Sequence, residues 1–172
     1  ESDLTEDGTS ALNQWTESGV GNYTVTIQPD AATVRTISGN AVGGLIRFDG
    51  ADRVTIEGRN GGSGNYLSFK NTNTAGTTGT AFTFINGATN NTLQYCDAQA
   101  FGNATNGVIL FGTSAVAGGN SNNVIDNCTV NATVLTNSGN VAIYSGGTVG
   151  NENSSNTLSN NNIYNYRDGG LN

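Results

Sequence analysis

"GLIRFDGADRVTIEG" (residues 44–58) sets two runs of β-branched and aromatic residues on either side of "DGAD". Asp-Gly between such runs is a strong hairpin signal. A chain that rounds a corner at the same place stays parallel and coils into a solenoid. The rest of the sequence decides between these. "NNTLQYCDA" (90–98), "NNVIDNCTV" (122–130) and "SNTLSNNNI" (155–163) match one another, with Leu93, Ile125 and Leu158 spaced 32 and 33 residues apart and Ile56 lying 37 before Leu93. Each is preceded by an apolar run: "GLIRFDGAD" (44–52), "TAFTFINGATN" (80–90), "NGVILFG" (106–112) and "NVAIYSG" (140–146). A weaker third run follows each: "YLSFKN", "CDAQAF", "CTVNATV" and "NIYNY".

Three short strands per unit, repeated about four times, is the organisation of a solenoid. A corner residue that suits one rung of a stacked coil suits the next, whereas a sandwich imposes no such recurrence. "DGAD" therefore reads as a corner. The Asn of the "NN" blocks, with Asn127 or Asn160 beyond the aliphatic, fit inward amides bonding from rung to rung. "TSAVAGGNSNN" (113–123) and "GGTVGNENSS" (146–155) read as inserts at one corner, looping outside the coil. "YTVTI" and "TVRTISG" would make an opening partial rung.

Composition agrees. The 172 residues suit one domain, 35% apolar content allows only a narrow core, and 25 glycines with a single proline favour frequent turning. Residues 1–22 read as an acidic leader and N-terminal cap, with "SALNQWTESG" (10–19) as a short amphipathic helix, and 23–172 as the β-helix, continuing in the full-length protein. An open solenoid end exposes strand edges and calls for such a cap.

The formal charge of −7, with only Asp97, Asp126 and Glu152 charged between Asn71 and Tyr166, gives no basic footprint for nucleic acid. No apolar run reaches the ~20 residues of a membrane helix, so membrane insertion is not expected.

"TVTIQPDAATVRTISGNAVGGLIRFDGADRVTIEG" followed by "LSFKNTNTAGTTGTAFTFINGATNNTLQYC" resembles the right-handed β-helix regions of large secreted and cell-surface proteins of Bacteroidota, many of which carry type IX secretion sorting tails. The likeness covers residues 23 to 166. It implies a right-handed parallel β-helix and a secreted or cell-surface address, and supplies no functional residues.

The resemblance extends to the broader pectate-lyase-like class, which raises polysaccharide cleavage. Its hydrolases combine clustered Asp with a Gly-His-Gly element, and this chain has no histidine. Its lyases pair a Ca²⁺-binding acidic cluster with a base, and the bases Arg35, Arg47, Arg53, Arg59, Lys70 and Arg167 all lie toward the ends. The repeat places Glu57, Gln94, Asp126 and Ser159 in one outward column. Glu57 and Asp126 would stand two rungs apart, ~9.5 Å, at the outer edge of the inverting-glycosidase spacing; solvated carboxylates are the simpler reading. Asp49, Asp52 and Glu57 are read as sharing a corner, where Ca²⁺ competes with ion pairing to Arg47, Arg53 and Arg59. No other cofactor is implied. Cys96 and Cys128 match in rung position, and free stacked thiols are favoured over a disulfide.

The first strand of each rung is apolar on both alternating sets, as in Ile46 and Phe48 against Leu45, which predicts burial on both faces. A long insert, or a lateral partner, should cover an outer surface containing Phe82, Phe84, Val108, Leu110 and Ile143. Ice binding through a threonine array is disfavoured because Thr24 and Thr26 find no in-register repeats. The sequence thus points to a non-catalytic stalk, filament segment or adhesion surface, contacting protein or glycan at the cell surface or self-associating along or beside the helix. A polysaccharide-active lyase or hydrolase fragment is the alternative.

Overall fold

The computed structural model describes residues 2–19, 21–74, 79–101, 106–132 and 141–166. Among these every regular element is a strand. β1 (Leu4–Thr5), β2 (Leu12–Asn13) and β3 (Val25–Ile27) form a first rung. β4 (Arg35–Gly39), β5 (Gly44–Asp49) and β6 (Val54–Glu57) form the second, and β7 (Leu67–Asn71), β8 (Thr80–Ile85) and β9 (Thr92–Gln94) the third. β10 (Cys96–Ala100), β11 (Ile109–Phe111) and β12 (Val124–Asp126) follow, then β13 (Thr129–Ala132), β14 (Ile143–Ser145) and β15 (Thr157–Ser159), and β16 (Asn162–Tyr164) starts another.

Each strand pairs in parallel with its equivalent one rung away. The first sheet has the order β1-β4-β7-β10-β13-β16, the second β14-β11-β8-β5-β2 and the third β15-β12-β9-β6-β3. The chain is a parallel β-helix. The segments flanking "DGAD" lie in different sheets, with Gly50 at φ 70° and Arg53 at φ 59° rounding the corner.

Stacking in register turns the sequence repeat into continuous files. Ile27, Ile56, Leu93, Ile125 and Leu158 make one file along the third sheet. Phe48, Phe84 and Phe111 make another along the second, their rings stacked at 4.5 Å and 4.8 Å between centroids. Phe69 meets Phe82 edge-on at 4.7 Å, linking the first sheet to the second. Such ring pairs add ~0.5–1.5 kcal/mol each beyond the burial itself.

The apolar first strands have a different explanation from two-sided burial. The N–H groups of both Ala81 and Phe82 donate to the Val108 carbonyl, at 2.8 and 3.3 Å, and those of Val108 and Ile109 both donate to Ala142, at 2.7 and 3.0 Å. Two residues facing one is a β-bulge, and here it recurs at the start of the second-sheet strands of successive rungs. It breaks the alternation and lets adjacent residues both point inward: Ala81 with Phe82, and Val108 with Ile109, are buried. Phe82, Phe84, Val108 and Ile143 are therefore core residues, not an outer surface. The outward file is Arg47, Thr83, Leu110 and Tyr144, and of the expected surface only half-buried Leu110 belongs to it.

The N-terminal expectation is corrected as well. Residues 10–19 form no helix, and the acidic segment is bonded in place. Leu4 and Thr5 pair with Ile37 and Ser38, Leu12 and Asn13 pair with Phe48 and Asp49, and Asp3 accepts the Thr36 N–H at 2.9 Å. A helix would have left the outer edges of β4 and β5 bare; two short strands satisfy them. "YTVTI" supplies β3 in the third sheet and "TVRTISG" supplies β4 in the first, the two strands that come before the turn beginning at Gly44, as the opening partial rung requires.

Candidate functional site

Two corners carry files of stacked side chains. At the corner from the second sheet to the third, Asn91, Asn123 and Asn156 form a ladder: Asn91 Nδ2 donates to Asn123 Oδ1 at 3.0 Å, and Asn123 Nδ2 to Asn156 Oδ1 at 3.1 Å. Each oxygen also accepts a backbone N–H from the preceding rung, Asn91 for Asn123 and Asn123 for Asn156, at 3.0 and 2.9 Å. The other amide hydrogens go to the carbonyls of Ala51, Ala88 and Asn120. The "NN" blocks thus hold the inward ladder expected of them. The residue before each amide is left-handed, with φ 56° at Asn90, 59° at Asn122 and 57° at Ser155, a conformation asparagine tolerates better than most.

The two inserts stack on one another outside this corner. They carry a further amide pair, Asn120 Nδ2 donating to Asn153 Oδ1 at 3.0 Å, and Ser114 N–H reaches Thr148 Oγ1 at 3.3 Å.

At the corner from the third sheet to the first the expectation reverses. Asn127 and Asn160 are the left-handed residues, φ 51° and 53°, and both donate outward to Asp126. The following residues point in, giving a file of Leu67, Cys96, Cys128 and Asn161. Both cysteines are free and buried. Burial raises the Cys128 thiol to about 12, and Cys96 rises well above the ordinary range for the same reason.

The column of Glu57, Gln94, Asp126 and Ser159 lies in register as expected. Its members bond along the axis: Gln94 donates to Glu57 at 2.8 Å and Ser159 to Asp126 at 2.6 Å. Burial pushes the Glu57 carboxyl up, but its bonds with Arg59, at 2.9 and 2.7 Å, outweigh this and hold it below its ordinary value. Arg59 in turn lies 3.9 Å above the Tyr95 ring. Asp126 is held low by Ser159 first, then Asn160 and Asn127. Neither carboxyl suits a general acid, which needs a raised pKa.

Asp49, Asp52 and Glu57 do not converge. Asp49 accepts from Asn86; Asp52 takes Arg53, Thr89 and Asn90; and Glu57, at the far end of β6, is engaged by Arg59 and Gln94. Among the described residues no three His, Cys, Asp or Glu side chains come together as a metal site. Arg167 lies outside the described residues.

One feature was missed. Thr26, Thr55, Thr92, Val124 and Thr157 form an in-register outward file beside the Glu57 column, so Thr26 does repeat. It would have been legible had Ile27 been aligned with Ile56. The file is one residue wide, and the ionised Glu57 and Asp126 beside it make the face a poor match to an ice lattice. A cavity of about 260 Å³ opens in the first two rungs, lined mainly by aliphatic residues such as Leu4, Leu12, Ile27 and Ile37, and neither Glu57 nor Asp126 borders it. Compared with known proteins, the chain matches no family model, no curated protein and no solved structure.

Proposed function

We propose that this chain is a non-catalytic structural or adhesive module of a secreted or cell-surface bacterial protein, serving as stalk, filament segment or contact surface. The observation that carries the reading is the state of Glu57 and Asp126. Both are ionised, hydrogen-bonded along the helix axis, and occupied with neighbours of their own column. A side chain committed in this way stiffens the rod. The amide and phenylalanine files, each running through three successive rungs, support the same role, since an in-register array resists bending and shear across the rungs it joins. The neutral sides, rich in amide and hydroxyl groups, suit a glycan or protein partner and self-association along or beside the helix. Low charge and the solenoid repeat accord with an address outside the cell.

A polysaccharide-active fragment is the second reading, and the observation favouring it is that two carboxylates stand two rungs apart on one face. A screen of neutral and acidic polysaccharides, with and without Ca²⁺, separates the two. No release of reducing ends or unsaturated products is expected. Turnover that disappears in Asp126→Asn overturns the structural role.

A further inference from the structure

We propose that Asn60 is a site of spontaneous covalent modification, closing on the Gly61 nitrogen to a succinimide that water opens to aspartyl and isoaspartyl products. Asparagine is among the thermolabile residues. It reacts fastest before glycine, where no side chain shields the attacking backbone nitrogen. Three Asn-Gly pairs occur in the chain, at 60–61, 86–87 and 106–107, and the fold treats them differently.

At 86–87 the nucleophile is engaged. Gly87 N–H donates to Asn120 Oδ1 at 3.0 Å, and the Asn86 amide is held by Asp49 at 2.6 Å. Val116 covers this glycine so closely that a methyl group there would meet it at 2.9 Å. At 106–107 the glycine is buried and bridged to Ile143, with the Ala142 carbonyl oxygen 2.9 Å from where a methyl group would stand. Freeing either nitrogen means parting one stacked rung from the next.

The pair at 60–61 carries none of this protection. Residues 60–63 make a tight turn closed by Asn60 N–H to the Ser63 carbonyl at 3.2 Å and Ser63 N–H to the Asn60 carbonyl at 3.3 Å, both longer than the usual ~2.9–3.0 Å. Residues 61–65 are exposed. Among the described residues no group accepts the Gly61 N–H, and a methyl group at Gly61 or Gly62 would meet no atom within 4 Å. The Asn60 side chain is held by one bond, Nδ2 donating to the Pro29 carbonyl at 3.1 Å. An exposed tip of small residues, closed by two long bonds, opens at little cost.

Hydroxide removes the Gly61 amide proton and the nitrogen attacks Asn60 Cγ. The N–Cγ bond forms, the Cγ–Nδ2 bond breaks, and ammonia leaves. Water then opens the imide. Cleavage of the new N–Cγ bond leaves an aspartyl residue; cleavage at the backbone carbonyl leaves an isoaspartyl residue, with the main chain one carbon longer. Either product puts a carboxylate where Nδ2 had been, so the Pro29 carbonyl loses its donor and the tie between this turn and the loop before β4 is cut.

The test is incubation of the folded chain in mildly alkaline water enriched in heavy oxygen, followed by peptide mapping. Label should enter at residue 60 as mixed aspartyl and isoaspartyl products, at least about tenfold faster than at 86 or 106, which must first open locally. In urea the three rates should converge. Asn60→Gln, whose ring would be one atom larger, should leave position 60 unlabelled over the same interval. Labelling at Asn86 or Asn106 as fast as at Asn60, an Asn60 that reacts only when the chain is unfolded, or rates that stay apart in urea overturns the assignment.

Discussion

Replacing Asn123 by alanine tests the amide ladder at its centre. The side chain is fully buried; its oxygen accepts the N–H and Nδ2–H of Asn91, and its amide donates to Ala88 and Asn156. Two of the four partners keep other bonds, since Asn91 Nδ2 still reaches Ala51 and Asn156 Oδ1 still accepts the backbone N–H at position 123. The Asn91 N–H and the Ala88 carbonyl are stripped. Each such orphan costs ~1–3 kcal/mol, so the variant should lose about 2–6 kcal/mol. Asn127→Gly is the matched control. It keeps the left-handed backbone and removes one outward bond to Asp126, which should cost under about 1 kcal/mol. Urea unfolding monitored by circular dichroism measures both, with the m-value checking that cooperativity survives. An Asn123→Ala midpoint matching wild type, or a control that loses as much, would refute the claim that inward amides hold the rungs together.

A methyl group at Gly39 would sit 1.6 Å from the Glu6 carbonyl oxygen, so Gly39→Ala should expel β1; hydrogen exchange should show the Glu6 amide, bonded to Ser38 at 2.9 Å, losing protection while β10 keeps its own. Phe84→Ala should cost ~3–5 kcal/mol and Leu110→Ala under half of that, and equal losses would contradict the bulge that turns one inward and the other out. Because Asp126 titrates below its ordinary value, its contribution is complete above the unfolded pKa of ~3.9 and is lost as pH falls through the lower folded value. Asp126→Asn should flatten the stability profile below about pH 4, and an unchanged slope would dismiss the assigned bonds.

The coil itself was legible because Leu93, Ile125 and Leu158 recur beside recurring asparagines, and a parallel stack is the fold in which such recurrence is useful. Side-chain direction was less so. At positions 126–128 a left-handed residue interrupts the in-out alternation, and nothing local in "DNC" says whether Asn127 or Cys128 takes the inward place. The bulge was hidden for a related reason: two N–H groups of one rung share a carbonyl of another, and "TAF" or "GVI" carries no mark of it. Leu12 and Trp15 are spaced as on a helix, yet the open edge of β5 offers backbone partners that outweigh that spacing. The column of Glu57 and Asp126 was placed correctly, but its ionisation state rests on Arg59 and Ser159, whose contacts depend on stacking.

The carboxamide ladder of Asn91, Asn123 and Asn156 runs in one sense, each oxygen serving the rung before it, while the nitrogens of Asn91 and Asn123 reach the oxygen of the rung after as well as a carbonyl of the rung before. The relay has no natural length. Excising everything from Asn91 to just before Asn123 would seat Asn123 where Asn91 had been, with its neighbours still matched, whereas removing only a few residues would set every file out of step. Such a molecule gains or loses length in whole rungs, and the 32- and 33-residue intervals in its sequence are the units in which that can happen.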